Sequence, residues 1–169
     1  AQQPESNVSP KLDYLQRRLL LDEKSLRKFI LRVPAIFTYS IEDNIAPKLD
    51  YFQQRLNLDN NSLRKLVLQC PSIVTFSFED NIVPKLDWLQ QRLDLNDTQV
   101  GKMIQRQPQI LGYSISDNLE PTLHWMQNRL SLTDNELSNL VQKLPTLFGC
   151  SVANNLEPTL NFYIDALGG

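Results

Sequence analysis

Nine of the ten prolines in the chain fall on two ladders with one step. Pro10, Pro47, Pro84, Pro121 and Pro158 are successively 37 residues apart, and so are Pro34, Pro71, Pro108 and Pro145. Proline has no backbone N–H and interrupts regular structure wherever it stands. A chain folding around one unique core has no reason to space its breakers evenly, whereas a chain that reuses one supersecondary unit does. The ladders therefore predict a repeat array. Its units run 7–43, 44–80, 81–117 and 118–154, with a partial unit at 155–167 and a polar tail at 1–6.

The second unit shows what the brick is. Ile41, Ile45, Leu49, Phe52 and Leu56 recur at helical spacing, so one apolar stripe runs along a helix. Ser40, matched by Ser77, Ser114 and Ser151, stands where a hydroxyl caps a helix start. The stripe passes through Pro47, inside the helix rather than at its first turn. This predicts a kink, or a short 3₁₀ turn giving way to a helix near residue 46. A second helix follows, with Asp59 as its N-cap, matched by Asp22, Asn96 and Thr133. Thr133 with Glu136 forms a capping box. Leu63, Leu66, Val67 and Cys70 make its apolar face, and Pro71 ends it. Ile73 and Val74 beyond it predict one 3₁₀ turn tucked into the core. Each unit is thus two α-helices plus a short 3₁₀ turn. The chain is expected to be an all-α, right- or left-handed superhelical solenoid of about four and a half 37-residue repeats. An aromatic column, Tyr14, Tyr51, Trp88, Trp125 and Phe162, lies beside the stripe. It reads as packing between units, with base stacking as the functional alternative.

Catalysis finds no support in the residues. His124 is the only histidine and replaces an aspartate column, so it reads as a solvated polar position. Gly112 and Gly149 match each other and read as a packing or turn requirement rather than a phosphate loop. Cys70 and Cys150 lie in different units, too far apart for a disulfide, and read as free thiols. No metal site, cofactor or enzymatic activity is expected. No stretch approaches 18 consecutive apolar residues, so no spanning helix is expected.

The cations lie on the lattice too. Arg18, Arg55, Arg92 and Arg129 form one column near the end of the first helix. Arg32, Arg106 and Lys143 form another at the end of the second, with Gln69 the exception. One reading is a phosphate-tracking stripe with a cation per unit. The other is cations at negative helix C-termini, with Asp22 and Asp59 available as local partners of Arg18 and Arg55. Lys11, Lys48 and Lys85 make a third column, replaced by Thr122 and Thr159, so that a groove built on it would fade toward the C-terminus. Net charge is −2, and residues 1–69 carry 11 Lys/Arg against 8 Asp/Glu while residues 70–169 carry 6 against 11. Whole-molecule attraction to phosphate is accordingly weak, so a basic surface would have to be local.

These residues resemble the mTERF family, the mitochondrial transcription termination factor repeats. The likeness rests on the openings NVSPKLDYL, NIAPKLDYF, NIVPKLDWL, NLEPTLHWM and NLEPTLNFY, and on the closes VPAIFTYS, CPSIVTFS, QPQILGYS and LPTLFGCS. It covers residues 7 to about 167. The resemblance implies a superhelix of helical units working in mitochondria or plastids, soluble or peripherally bound. It also implies a module that binds duplex DNA or structured RNA in organellar transcription, translation or ribosome assembly. A scaffold docked on an organellar protein complex, such as a membrane complex, is the competing expectation. It rests on the acidic balance and on the last unit, where Phe162, Ile164 and Leu167 make an apolar end expected to continue into further sequence or to meet a partner protein.

Overall fold

The computed structural model describes residues 5–167, with side chains from residue 9 onward. Among the described residues there are nine α-helices and no strand. They are α1 (Glu5–Arg18), α2 (Glu23–Arg32), α3 (Ala46–Arg55), α4 (Asn60–Gln69), α5 (Val83–Leu93), α6 (Asp97–Arg106), α7 (Glu120–Arg129), α8 (Asp134–Lys143) and α9 (Glu157–Leu167). A 3₁₀ turn follows each even-numbered helix, at Pro34–Thr38, Pro71–Val74, Pro108–Gly112 and Pro145–Gly149. Residues 1–4 of the expected tail lie outside the described residues, and Glu5 and Ser6 already belong to α1. The principal contacts join elements of one unit (α1 with α2, α3 with α4, α5 with α6, α7 with α8) or of adjacent units (α4 with α6, α6 with α8, α5 with α8). The molecule is an all-α solenoid. Its core is one continuous chain of buried apolar side chains, among them Leu49, Phe52, Leu63, Val67, Ile73, Leu86 and Leu123.

The turn before the proline ladder differs from the expectation. Ile41–Ile45, Phe78–Ile82, Ile115–Leu119 and Val152–Leu156 are single π turns rather than 3₁₀ turns or kinks. The N–H of Ile45 reaches the Ser40 carbonyl at 3.0 Å, five residues back. A tight turn would drive the Pro47 ring into the carbonyl four residues earlier; a wider one carries that carbonyl out of the ring's path. Pro47 then stands in the first turn of α3, which begins at Ala46, where a missing N–H costs least. Pro10 is different, since it lies inside α1.

Capping follows the local chemistry. Ser40, Ser77, Ser114 and Ser151 each accept the backbone N–H three residues on, at 3.1 to 3.2 Å. Asp22 and Asp59 do the same for α2 and α4 at 2.7 Å. Thr133 and Glu136 form the expected capping box. Asn96, expected as an N-cap, forms a second box with Gln99.

At the junction between the two helices of a unit stand Leu20, Asn57, Asp94 and Ser131, each with φ near 50°. Beyond them, Leu21, Leu58, Leu95 and Leu132 donate to carbonyls five residues back at 2.8 to 2.9 Å, the pattern of a left-handed helix cap. These caps recur every 37 residues yet contain no glycine, so composition concealed them. Of the two glycines that the sequence singled out, Gly149 is tight, since a Cβ there would lie 3.1 Å from the Tyr113 hydroxyl, but the tightest of the described glycines is another. A Cβ on Gly101 would lie 2.6 Å from the Leu56 carbonyl oxygen, so α6 lies against the end of α3 only because the side chain is absent. At the matching position in α8, Ser138 is buried and its hydroxyl donates to the Leu93 carbonyl at 2.6 Å. Gly112 has ordinary clearance, with Phe76 at 3.5 Å, so close packing does not require it.

Candidate nucleic-acid interface

The first cation column spans the seams between units. Arg18 on α1 donates to Asp50 and Gln53 on α3, both at 2.7 Å. Arg55 reaches Asp87 at 3.2 Å and Gln90 at 2.7 Å on α5, and also Asp97 on α6. Arg92 pairs with Glu120 at 3.1 Å and Gln127 at 3.3 Å on α7. Arg129 pairs with Glu157 at 3.0 Å and Asn161 at 2.8 Å on α9. Each guanidinium therefore serves the next unit's first helix. The local partners, Asp22 and Asp59, are turned to the starts of α2 and α4. There the hydrogen bonds from Ser25 and Ser62 hold their carboxyls below the usual range.

The second column also reaches forward, to helix ends. Arg32 donates to the carbonyls of Leu68 at 2.7 Å and Gln69 at 3.3 Å, at the end of α4. Arg106 donates to the Gln142 carbonyl at 2.9 Å, at the end of α8. The guanidinium thus meets the negative end of a neighbouring helix rather than of its own. Both arginines remain exposed, and so does Lys143.

The third column is not a surface at all, contrary to the groove inferred from it. Lys11, Lys48 and Lys85 are only 4 to 5% exposed. Their ammonium groups cap carbonyls of the 3₁₀ segment in the same unit: Phe37 at 2.9 Å, Val74 at 3.2 Å and Leu111 at 2.6 Å. Burial pulls the Lys48 and Lys85 ammonium groups below the ordinary lysine range. Thr122 fills the corresponding place in the fourth unit, 3% exposed. The column ties each first helix to its 3₁₀ turn.

The geometry brings forward a fourth column that the sequence reading missed. Lys28, Lys65 and Lys102 lie 37 residues apart on α2, α4 and α6, all exposed. Among the described residues, no hydrogen bond or ion pair engages their ammonium groups. With Arg32, Arg106 and Lys143 one turn further on, they make a cationic ridge along the second helices. Between α6 and α8 the ridge dips into a cleft of about 210 Å³ holding Lys102, Arg106 and Lys143 among the amides of Gln99, Asn139 and Gln142. No carboxylate lines it. Exposed acids lie on the π turns, at Glu42, Asp43, Glu79, Asp80 and Asp117, and at the starts of the second helices, at Asp22, Glu23, Asp59, Asp97, Asp134 and Glu136. The basic strip is therefore local, confined to the later turns of the second helices of an acidic chain. The 37-residue step was the signal that could have found the column.

Tyr14, Tyr51, Trp88 and Trp125 are half-buried against the core, and the Tyr51 ring meets Phe78 edge-on at 4.5 Å. Their places are in the seams. Phe162 and Leu167 on α9 are 67% and 85% exposed, while Ile164 is half-buried. His124 lies exposed on α7 with Nε2 2.8 Å from the Asn128 amide. Cys70 is buried, Cys150 is half-buried, and both are free thiols. Among the described residues, no group of three His, Cys, Asp or Glu side chains converges as a metal site.

Two comparisons with known proteins bear on this geometry. The family model described as mTERF matches residues 2–168. The search of curated proteins finds no match.

Proposed function

The chain belongs to the mTERF family, and on that premise we propose that it lays its second-helix ridge along duplex DNA or structured RNA in organellar gene expression, without catalysis. The observation that carries the reading is the column of Lys28, Lys65 and Lys102, one uncommitted cation in each of the first three units, with Asn139 at the matching place in the fourth. A repeating ligand charge is matched most simply by a repeating protein charge, and long flexible lysines follow phosphates without needing a fixed base sequence. Arg32, Arg106 and Lys143 extend the contact. The arginines of the first column support the fold that displays the ridge, since their guanidinium groups are held by carboxylates and amides across the seams. Family membership supports a mitochondrial or plastid setting. No helix among the described residues is long and apolar enough to cross a membrane.

The test is binding of a short DNA duplex and of a hairpin RNA across a salt series. Affinity is expected to fall steeply with salt. The double substitution Lys65→Glu with Lys102→Glu should weaken binding at least tenfold at low salt and reduce the salt slope by about two. Absence of binding at low ionic strength, or indifference to the double substitution, would overturn the reading.

A second reading has its own observation. Phe162, Tyr163 and Leu167 leave an apolar face of α9 exposed, the kind of surface that a protein partner covers. On this reading the array is a scaffold subunit docked through α9. Phe162→Ser with Leu167→Ser should then abolish co-purification with that partner while leaving nucleic-acid affinity unchanged.

A further inference from the structure

The cationic ridge changes character along its length. Between α2 and α4 it opens into a groove of about 420 Å³, built from Lys28, Phe29, Leu31, Arg32, Leu68 and Pro71, with Ser25 at its edge. Leu31 is 71% exposed there, although it belongs to a regular helix with a well-filled apolar face. The groove between α6 and α8 provides an internal control, because it is the same site two units later. Lys102 and Arg106 stand where Lys28 and Arg32 stand, and Met103 where Phe29 does, but Gln105 and Gln142 replace Leu31 and Leu68. The fold therefore accepts polar walls at this position. Leu68 also packs against the core, but packing does not explain the leucine at position 31.

The geometry points to this first groove as a docking site for an acidic segment of a partner protein that carries one or two large apolar side chains. Leu31 and Leu68 offer apolar walls whose desolvation is rewarded only by an apolar occupant. Lys28 and Arg32 on the rim select for carboxylates flanking it. A phosphate backbone would satisfy the rim and leave the leucines facing sugar and charge, so nucleic acid fits the amide-walled groove better than this one. A basic or neutral peptide would satisfy the walls and leave the cations unpaired. Arg32 is already oriented by its bonds to the carbonyls of Leu68 and Gln69, so one side of the rim is preorganised. The inference does not rest on nucleic-acid binding elsewhere on the ridge.

The test is a selection of random 12-residue peptides displayed on phage against the whole chain, counter-selected on Leu31→Ser. This substitution removes an exposed side chain, and an unchanged thermal midpoint would verify that the fold is intact. The expected result is enrichment of peptides with net negative charge and at least one Leu, Ile, Phe or Trp. Synthetic versions should lose at least tenfold in affinity on Leu31→Ser and again on Lys28→Glu, with Gln105→Glu as a control that leaves them unaffected. Failure to enrich over the counter-selection, enrichment of basic or neutral peptides, or equal binding to Leu31→Ser would each overturn the proposal. So would a tenfold loss of DNA-duplex affinity in Leu31→Ser, because the groove would then belong to the nucleic-acid surface. Loss of duplex binding in the Lys65 and Lys102 variants alone would leave the proposal standing.

Discussion

Leu20, Asn57, Asp94 and Ser131 share one backbone conformation and differ in how well they tolerate it. Asn and Asp enter the left-handed region with local hydrogen bonds; a leucine there costs about 1–2 kcal/mol. Leu20 is 52% exposed, so little apolar burial is lost on replacing it. Leu20→Asn is expected to raise stability by about 0.5–1 kcal/mol, read from urea unfolding, whereas Asn57→Leu should lower it by a similar amount. At the other end of the chain, Glu157 accepts hydrogen bonds from Arg129 and from the Trp125 indole N–H, and both hold its carboxyl below the ordinary range. A carboxyl depressed in the folded state contributes stability above its unfolded value, near 4.3, and loses it as pH falls through the folded value. In a Trp88→Phe background, Trp125 fluorescence should therefore show an acid transition below about pH 4.3, and Glu157→Gln should remove it. The same transition in both proteins would contradict this assignment.

At the scale of the element, what could be read along the chain was what acts within one turn. The serine and Asp/Asn/Thr caps were legible because the acceptor and its N–H lie three residues apart. Ser77→Ala should cost about 1 kcal/mol. The same change at Ser114 should add to it, since the two caps lie in different units; thermal unfolding of the single and double variants measures both. The π turns were not legible. Pro47 signalled that a regular helix could not pass, but choosing between a kink, a 3₁₀ turn and a π turn depends on where the neighbouring helices hold the chain. The left-handed caps escaped for another reason: no glycine marks them, and the bonds from Leu58 to Gln53 and its equivalents establish them.

At the scale of the molecule, the arginine ladder makes each seam partly electrostatic. Units of a solenoid are stabilised by their own folding and by nearest-neighbour interfaces. Arg92 joins α5 to Glu120 and Gln127 on α7, so Arg92→Ala should weaken the third seam by about 1 kcal/mol. Urea unfolding should then broaden as the fourth unit loosens before the first three. Salt should reproduce part of the effect in the parent chain. An unchanged, equally sharp transition would show that the seams are held by apolar contacts alone.

From the amino-acid order alone came the period, the two-helix brick, the caps, the apolar stripes and the likeness to the mTERF repeats. All of these depend on residues close together in the chain or on the recurrence of one pattern. Only the tertiary structure decided which cations are free. Lys48 and Lys65 look alike in sequence, yet one is buried against the Val74 carbonyl and the other extends into solvent. The partners of Arg18, Arg55, Arg92 and Arg129 lie 28 to 42 residues ahead, across a seam that exists only once the units have stacked. Charge is a property of the side chain, but its availability depends on the neighbours that packing brings to it.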